Sequence, residues 1–329
     1  VINEMSNINI GIVIDGTKSM GEFYVPVIDA LKRSIYYFEK NNYNVRIGVV
    51  IYRDYGDHPY DTEVFPLTTP KNENLYRFLE TGGDYSVRSG VADLTLEEAL
   101  YLGMNTAIDR LGFRKEHSNI LLVIGDCGND VKDTRYSSEE IIDKIVYNNI
   151  NLIGFQVNYD FKHANAYSLF KEQITEILHE SLKRRMHNLN ETLDNSIVDL
   201  VEGEHGLVLK NKDISDIFVG AFYFPFIQGQ PMPTSELTDL VDQSIGKLKA
   251  AVDEQKRAIN LTYASAFKGE SFSTIKESFV RQKLSDEVFE AVKEAGSLMA
   301  FKGYTPKYDK SKRAFYKPVI FISYDELKS

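Results

Sequence analysis

Cysteine is nearly missing from this 329-residue chain. Cys127 stands alone, which excludes an intramolecular disulfide and any Cys-rich zinc site while leaving either redox compartment open. Long apolar runs are missing too: none reaches the roughly 18 residues of a membrane span, and no charged-then-apolar leader opens the sequence. Positive charge is scarce. The 38 Lys and Arg residues face 48 Asp and Glu, and the formal charge of -10 repels phosphate backbones and argues against a nucleic-acid partner. Low-complexity tracts and internal repeats are absent, and 43% apolar content is enough for one large core or two smaller ones. The chain starts at Val1 rather than Met. "SYDEL" near its end pairs Ser323 with Glu326 at capping-box spacing with little chain left for a helix, so both ends are expected to be cut.

What is present is an alternation of short apolar runs with amphipathic stretches. "INIGIVI" (8–14), "VRIGVVIY" (45–52), "NILLVIG" (119–125), "INLIGFQV" (150–157) and "GLVLK" (206–210) read as strands, most of them too continuously apolar to have a wet face. The segments between them supply cover. Leu96, Ala99, Leu100, Gly103, Met104, Ala107, Ile108 and Leu111 form one stripe at helical period. Ser137 with Glu140 marks a second helix start, and Tyr167, Phe170, Ile174, Ile177 and Leu178 mark a third helix. Strand, helix, strand, repeated, predicts an α/β domain with a doubly wound, mainly parallel sheet and helices on both faces, over residues 1–226. Prolines 225, 231 and 233 then break the rhythm. A smaller α+β region is expected over 227–329: a long helix through 237–259, a shorter one from Ser285 to Gly296, and a hairpin of "SLMAFKGYTP" and "RAFYKPVIFIS". Heptad-like spacing at Ile245, Val252 and Ile259 suits packing on its own domain or on a partner helix.

The chemistry gathers where the first strand ends. In a parallel α/β sheet the ligand crevice lies beyond the carboxyl ends of the strands, and Asp15, Gly16, Thr17, Lys18 and Ser19 occupy that position. Alternate residues point the same way, so a carboxylate and two hydroxyls converge. Such hard oxygen donors suit a small cation such as Mg²⁺ or Mn²⁺. Asp126, after "NILLVIG", projects from the same edge of the sheet. A plainer reading also exists, since Asp, Thr and Ser at a strand end are common turn and cap residues.

The first motif and the order of the segments resemble the von Willebrand factor A (VWA) domain family. "IGIVIDGTKSM", "VRIGVVIYRDY", "TLEEALYLGMNTAI" and "LLVIGD" follow in family order over about residues 7–226. The resemblance implies a metal-ion-dependent adhesion site whose Asp-x-Ser-x-Ser motif here reads Asp15-Gly-Thr17-Lys-Ser19. It also implies that Thr17 and Ser19 ligate Mg²⁺ or Mn²⁺ directly, that Asp15 and Asp126 act through bound water, and that Thr95 supplies the second-loop hydroxyl. Ser89, Asp84 and Asp93 are the alternatives on that loop. The function implied is binding, not catalysis: an open metal position accepts an Asp or Glu from a partner protein. An extracytoplasmic setting, periplasm or cell surface, is expected, with the cytoplasm as the alternative.

Two other readings compete. "VIDGT" and "GDCGND" also resemble motifs of the haloacid dehalogenase-like phosphotransferases, but Val13 occupies the position of their nucleophilic Asp and cannot attack phosphorus. A structural domain without metal is the third possibility. Asp54, Asp57, His58, Asp61 and Glu63 crowd one loop, which reads as solvated, with a second cation or a rim to the site as the alternative. Cys127 is expected to be an inert, small apolar residue, and His163, His179, His187 and His205 lack ligand spacing.

Overall fold

The computed structural model describes residues 7–40, 44–57, 61–86, 96–115, 117–158, 161–192, 198–202, 206–211, 217–223, 301–308 and 314–321, together with residue 239. Among the described residues ten strands and five helices are formed: β1 (Ile8–Asp15), α1 (Gly21–Lys40), β2 (Val45–Tyr52), β3 (Thr62–Thr68), α2 (Glu73–Ser86), α3 (Leu100–Arg110), β4 (Ser118–Gly125), α4 (Ser138–Tyr147), β5 (Ile150–Gln156), α5 (Ala164–Thr192), β6 (Val198–Glu202), β7 (Gly206–Asn211), β8 (Ile217–Tyr223), β9 (Phe301–Tyr308) and β10 (Ala314–Phe321). The first eight strands make one sheet in the order β3-β2-β1-β4-β5-β8-β7-β6, and β9 pairs with β10 in a separate antiparallel ribbon. This is the doubly wound α/β architecture expected.

Strands β2, β1, β4, β5 and β8 run parallel. Every residue of β1 is buried, because helices cover both of its faces, and period-2 alternation sorts the side chains. Ile8, Ile10, Ile12 and Ile14 pack with Leu31, Ile35 and Phe38 of α1 and Leu75 and Leu79 of α2. Val13, Val50 and Tyr52 pack with Leu100 and Met104 of α3 on the opposite face. Gly103 permits that approach, since a Cβ there would lie 2.6 Å from the Tyr52 ring.

The sheet departs from the expectation at its edges. β3 is antiparallel to β2 and half-exposed; it carries Pro66, which suits an edge strand and weakens the apolar signal. The "GLVLK" stretch is indeed a strand, β7, but it runs antiparallel to both β6 and β8. Its connections at 203–205 and 212–216 are far too short for the crossover that parallel neighbours need.

Helix starts follow local chemistry. Ser137 caps α4 by accepting the Glu140 amide at 3.2 Å, as its spacing predicts. Ser137→Ala is expected to cost about 1 kcal/mol, a fall of about 2–4 °C in a thermal melt of a domain this size. α1 begins at Gly21, so Pro26 falls inside it. A 3-10 turn, Lys18–Met20, runs straight into it: Met20 N–H donates to Thr17 O at 3.2 Å, and Gly21 N–H donates to Lys18 O. α3 begins at Leu100 although its apolar stripe starts at Leu96, because Glu98 is held extended beside Asn129. Glu98 N–H donates to Gly128 O at 2.8 Å, and Asp130 N–H donates to Glu98 O at 3.2 Å. Apart from residue 239, the long helix expected over 237–259, the shorter one over 285–296 and the "SYDEL" terminus lie outside the described residues.

Candidate metal centre at the switch point of the sheet

The order reverses at β1: the chain moves to β2 on one side, and β4 lies on the other. Loops leaving β1 and β4 therefore part in opposite directions and open a crevice at their carboxyl ends. Asp15 and Asp126 leave those two strands. Asp15 Oδ1 accepts both the Thr17 amide at 2.8 Å and the Thr17 hydroxyl at 2.7 Å. The Thr17 and Ser19 hydroxyls are 3.0 Å apart. The Ser19 hydroxyl and the Asp15 carboxyl also lie near enough to the Asp126 carboxyl group to act on its charge. Four of the five residues expected at the site thus meet at one point. Thr95, with Ser89 and Asp93, lies outside the described residues; Asp84 falls on α2.

Asp15 and Asp126 are both 0% exposed. Their free oxygens, Asp15 Oδ2 and both oxygens of Asp126, have no well-aligned hydrogen-bond partner among the described residues. Burial pushes the Asp15 carboxyl well above its ordinary range, and the Asp126 charge pushes it further, against the two bonds from Thr17. Burial also raises Asp126, opposed by Ser19, Asp15 and the Cys127 amide and thiol. Two acids this close in a dry site share a proton unless a cation joins them. The donor chemistry fits a hard divalent cation, with hydroxyl and carboxylate oxygens at one point. Among the described residues no three or more His, Cys, Asp or Glu side chains gather closely enough to hold an ion.

The supports are built into the fold. Arg53, 1% exposed, donates from Nε to Gly16 O at 3.1 Å, from NH2 to Gly82 O at 3.5 Å, and from NH1 to Glu63 Oε2 at 2.9 Å. It ties the β1 loop to α2 and to β3. Gly16 N–H donates to Tyr52 O at 2.8 Å. Gln156 of β5 donates from Nε2 to the carbonyl oxygens of Asp126 at 2.7 Å and Tyr167 at 2.8 Å, anchoring the second loop to α5. Asn129 accepts the Tyr101 amide at 2.9 Å and so closes the first turn of α3.

One acid at the site was not singled out in the sequence. Glu98 is 6% exposed, and burial followed by Asp15, Asp54 and Asp126 pushes its carboxyl well upward. Its only sequence signal is its place three residues after Thr95, the second-loop hydroxyl that the resemblance implies. Asp54, read there as part of a solvated loop, hydrogen-bonds to Glu98 and so stands beside the site. Cys127 is buried, its thiol held protonated by burial and by Asp126, in keeping with an inert side chain.

A family model, the TssR protein VWA domain, matches residues 1–200. The chain belongs to this VWA family. Solved structures similar to it include the pilus adhesin SpaC from Lactobacillus rhamnosus GG, with 10% identity over 52% of this chain and 27% of SpaC at a TM-score of 0.39. Others are an aerotolerance-related membrane protein from Bacteroides fragilis NCTC 9343, with 13% identity over 73% of this chain and 100% of that one at 0.40, and BatB from Bacteroides thetaiotaomicron, with 12% identity over 74% and 98% at 0.40. No curated protein sequence matches the chain. No helix among the described residues is long and apolar enough to cross a membrane.

Proposed function

We propose that this VWA domain is a metal-dependent protein-binding module serving adhesion or scaffolding. The supporting observation is the set of unpartnered, buried oxygens on Asp15 and Asp126 beside the Thr17 and Ser19 hydroxyls. In this reading Thr17 and Ser19, with Thr95, hold Mg²⁺ or Mn²⁺, and Asp15 and Asp126 balance its charge from farther out. What the cation supplies is a Lewis-acidic open position for an Asp or Glu carboxylate of the partner. The module works outside the cytoplasm, which cell fractionation tests.

Binding is favoured over bond-breaking because Val13, at the position a phosphoryl-accepting Asp would need, is 0% exposed and packed in the core. Calorimetric titration with MnCl₂ is expected to give a single site, and Ser19→Ala is expected to weaken it by about tenfold or more, roughly 1.4 kcal/mol. Absence of binding heat and of any thermal shift would leave a purely structural domain. Hydrolysis of p-nitrophenyl phosphate that disappears in Asp15→Ala would overturn the non-catalytic reading.

A further inference from the structure

Beside the Asp15–Asp126 pair lies a cleft of about 350 Å³, formed by the residues after β2, those before α3 and the 130–135 loop. Asp54, Glu97, Glu98, Asp130 and Asp133 line it, against Lys132 and Arg135. The loop acids have local work: Asp130 Oδ1 accepts the Lys132 amide at 2.9 Å, and Asp133 accepts the Arg135 amide at 3.0 Å and the Tyr55 hydroxyl at 2.7 Å. Arg135 lies over the Tyr55 ring, its guanidinium carbon 3.5 Å from the ring centre. Glu98 is different. It is 94% buried by its 6% exposure, and although Asp54 bonds to its carboxyl group, its Oε2 has no hydrogen-bond partner among the described residues. A buried carboxylate oxygen without a donor is unfavourable until a donor arrives.

We propose that this cleft receives a cationic side chain of the partner, an ammonium or guanidinium, which donates to Glu98 and Asp54 while the partner's acid occupies the neighbouring metal centre. The inference rests on the metal-dependent reading above and adds a second requirement to it, a base close to the acid in the bound segment. A second metal ion is the poorer occupant. No three acid, His or Cys side chains among the described residues are close enough to hold one, and the cleft lies in the size range of organic-ligand sites, about 300–1,000 Å³. The net acidity of the lining suits an organic cation, whose several N–H groups can be shared among separated carboxylates.

The test uses the full chain and amide-resolved NMR, with n-butylguanidinium as the probe and neutral n-butylurea as its isostere. Saturable shifts at residues 54–55, 97–99 and 130–135 are expected with the cation and not with the urea. Glu98→Gln is expected to weaken the cation by about tenfold or more, and Asp54→Asn to do the same should Glu98→Gln fail to fold. Absence of saturable shifts, an equal response to the urea, or unchanged affinity in a folded Glu98→Gln would overturn the proposal. So would a second manganese site that Glu98→Gln deletes. Failure of the metal reading shows separately, as a missing manganese isotherm in a wild-type protein that still binds the cation.

Discussion

Asp15→Asn is expected to melt higher than the wild-type protein when both are free of metal, and to gain nothing from Mg²⁺ or Mn²⁺. Asp15 is fully buried, with Oδ2 unpartnered and Asp126 beside it. Asn keeps an oxygen for the two Thr17 bonds and brings an NH₂ group to face the unpartnered oxygens of Asp126. Removing one of two crowded buried charges is worth on the order of 1–2 kcal/mol, a rise of about 2–8 °C for a domain near 200 residues. The wild-type protein behaves in the opposite way. Metal at about 100 times its dissociation constant adds about 2.7 kcal/mol, or about 5–11 °C. Differential scanning fluorimetry at fixed ionic strength reads both numbers. An Asp15→Asn variant that melts lower than wild type without metal would show that the Asp15 charge is compensated within the fold and would count against a cation bound there.

The same pair sets a pH dependence whose sign is opposite to that of a salt-bridged carboxylate. The folded-state pKa of Asp15 lies above the ordinary value of 3.8, from burial first and the Asp126 charge second. The folded, metal-free protein therefore holds more protons than the unfolded chain in the window that opens near 3.8 and extends upward. This contribution to stability is full below that window and is lost as pH rises through it. Metal should reverse the trend, because it replaces the shared proton. Melting curves with and without Mn²⁺ from pH 5 to 8 should diverge as pH increases, and the metal-free slope should flatten in Asp15→Asn.

How much of this was legible in the sequence follows burial. The parallel strands β1, β2, β4 and β5 are continuous apolar runs because helices cover both faces, and their limits read off within a residue or two. β3 is half-exposed and holds Pro66, so its pattern resembles that of a loop. Asp15, Thr17, Ser19 and Asp126 were readable because alternation and strand ends fix where such side chains go. Glu98 was not, since its importance comes from an extended pairing with Asn129 between residues that local periodicity assigns to a helix. Arg53 was hidden for a similar reason. A charged residue amid the acids of the 53–63 loop looks solvated until three separate elements close around it.

Arg53→Met is expected to lower stability more than any change on the surface of this domain. The guanidinium is 1% exposed and serves two backbone carbonyls, Gly16 O and Gly82 O, as well as Glu63. Methionine fills much of the volume but leaves those carbonyls without their donor and Glu63 without its cation, a loss of about 3–5 kcal/mol, or about 6–20 °C in the melt. Glu63→Gln separates the contributions. Glu63 is 20% exposed and can turn to water, and Gln still offers an oxygen to Arg53, so this variant should cost about 1 kcal/mol or less. Near-equal losses in the two variants would mean that the ion pair carries the stability. A much larger loss in Arg53→Met would assign it to the clamp on Gly16 O and Gly82 O, and manganese affinity should then fall with it, since Gly16 joins Asp15 to Thr17.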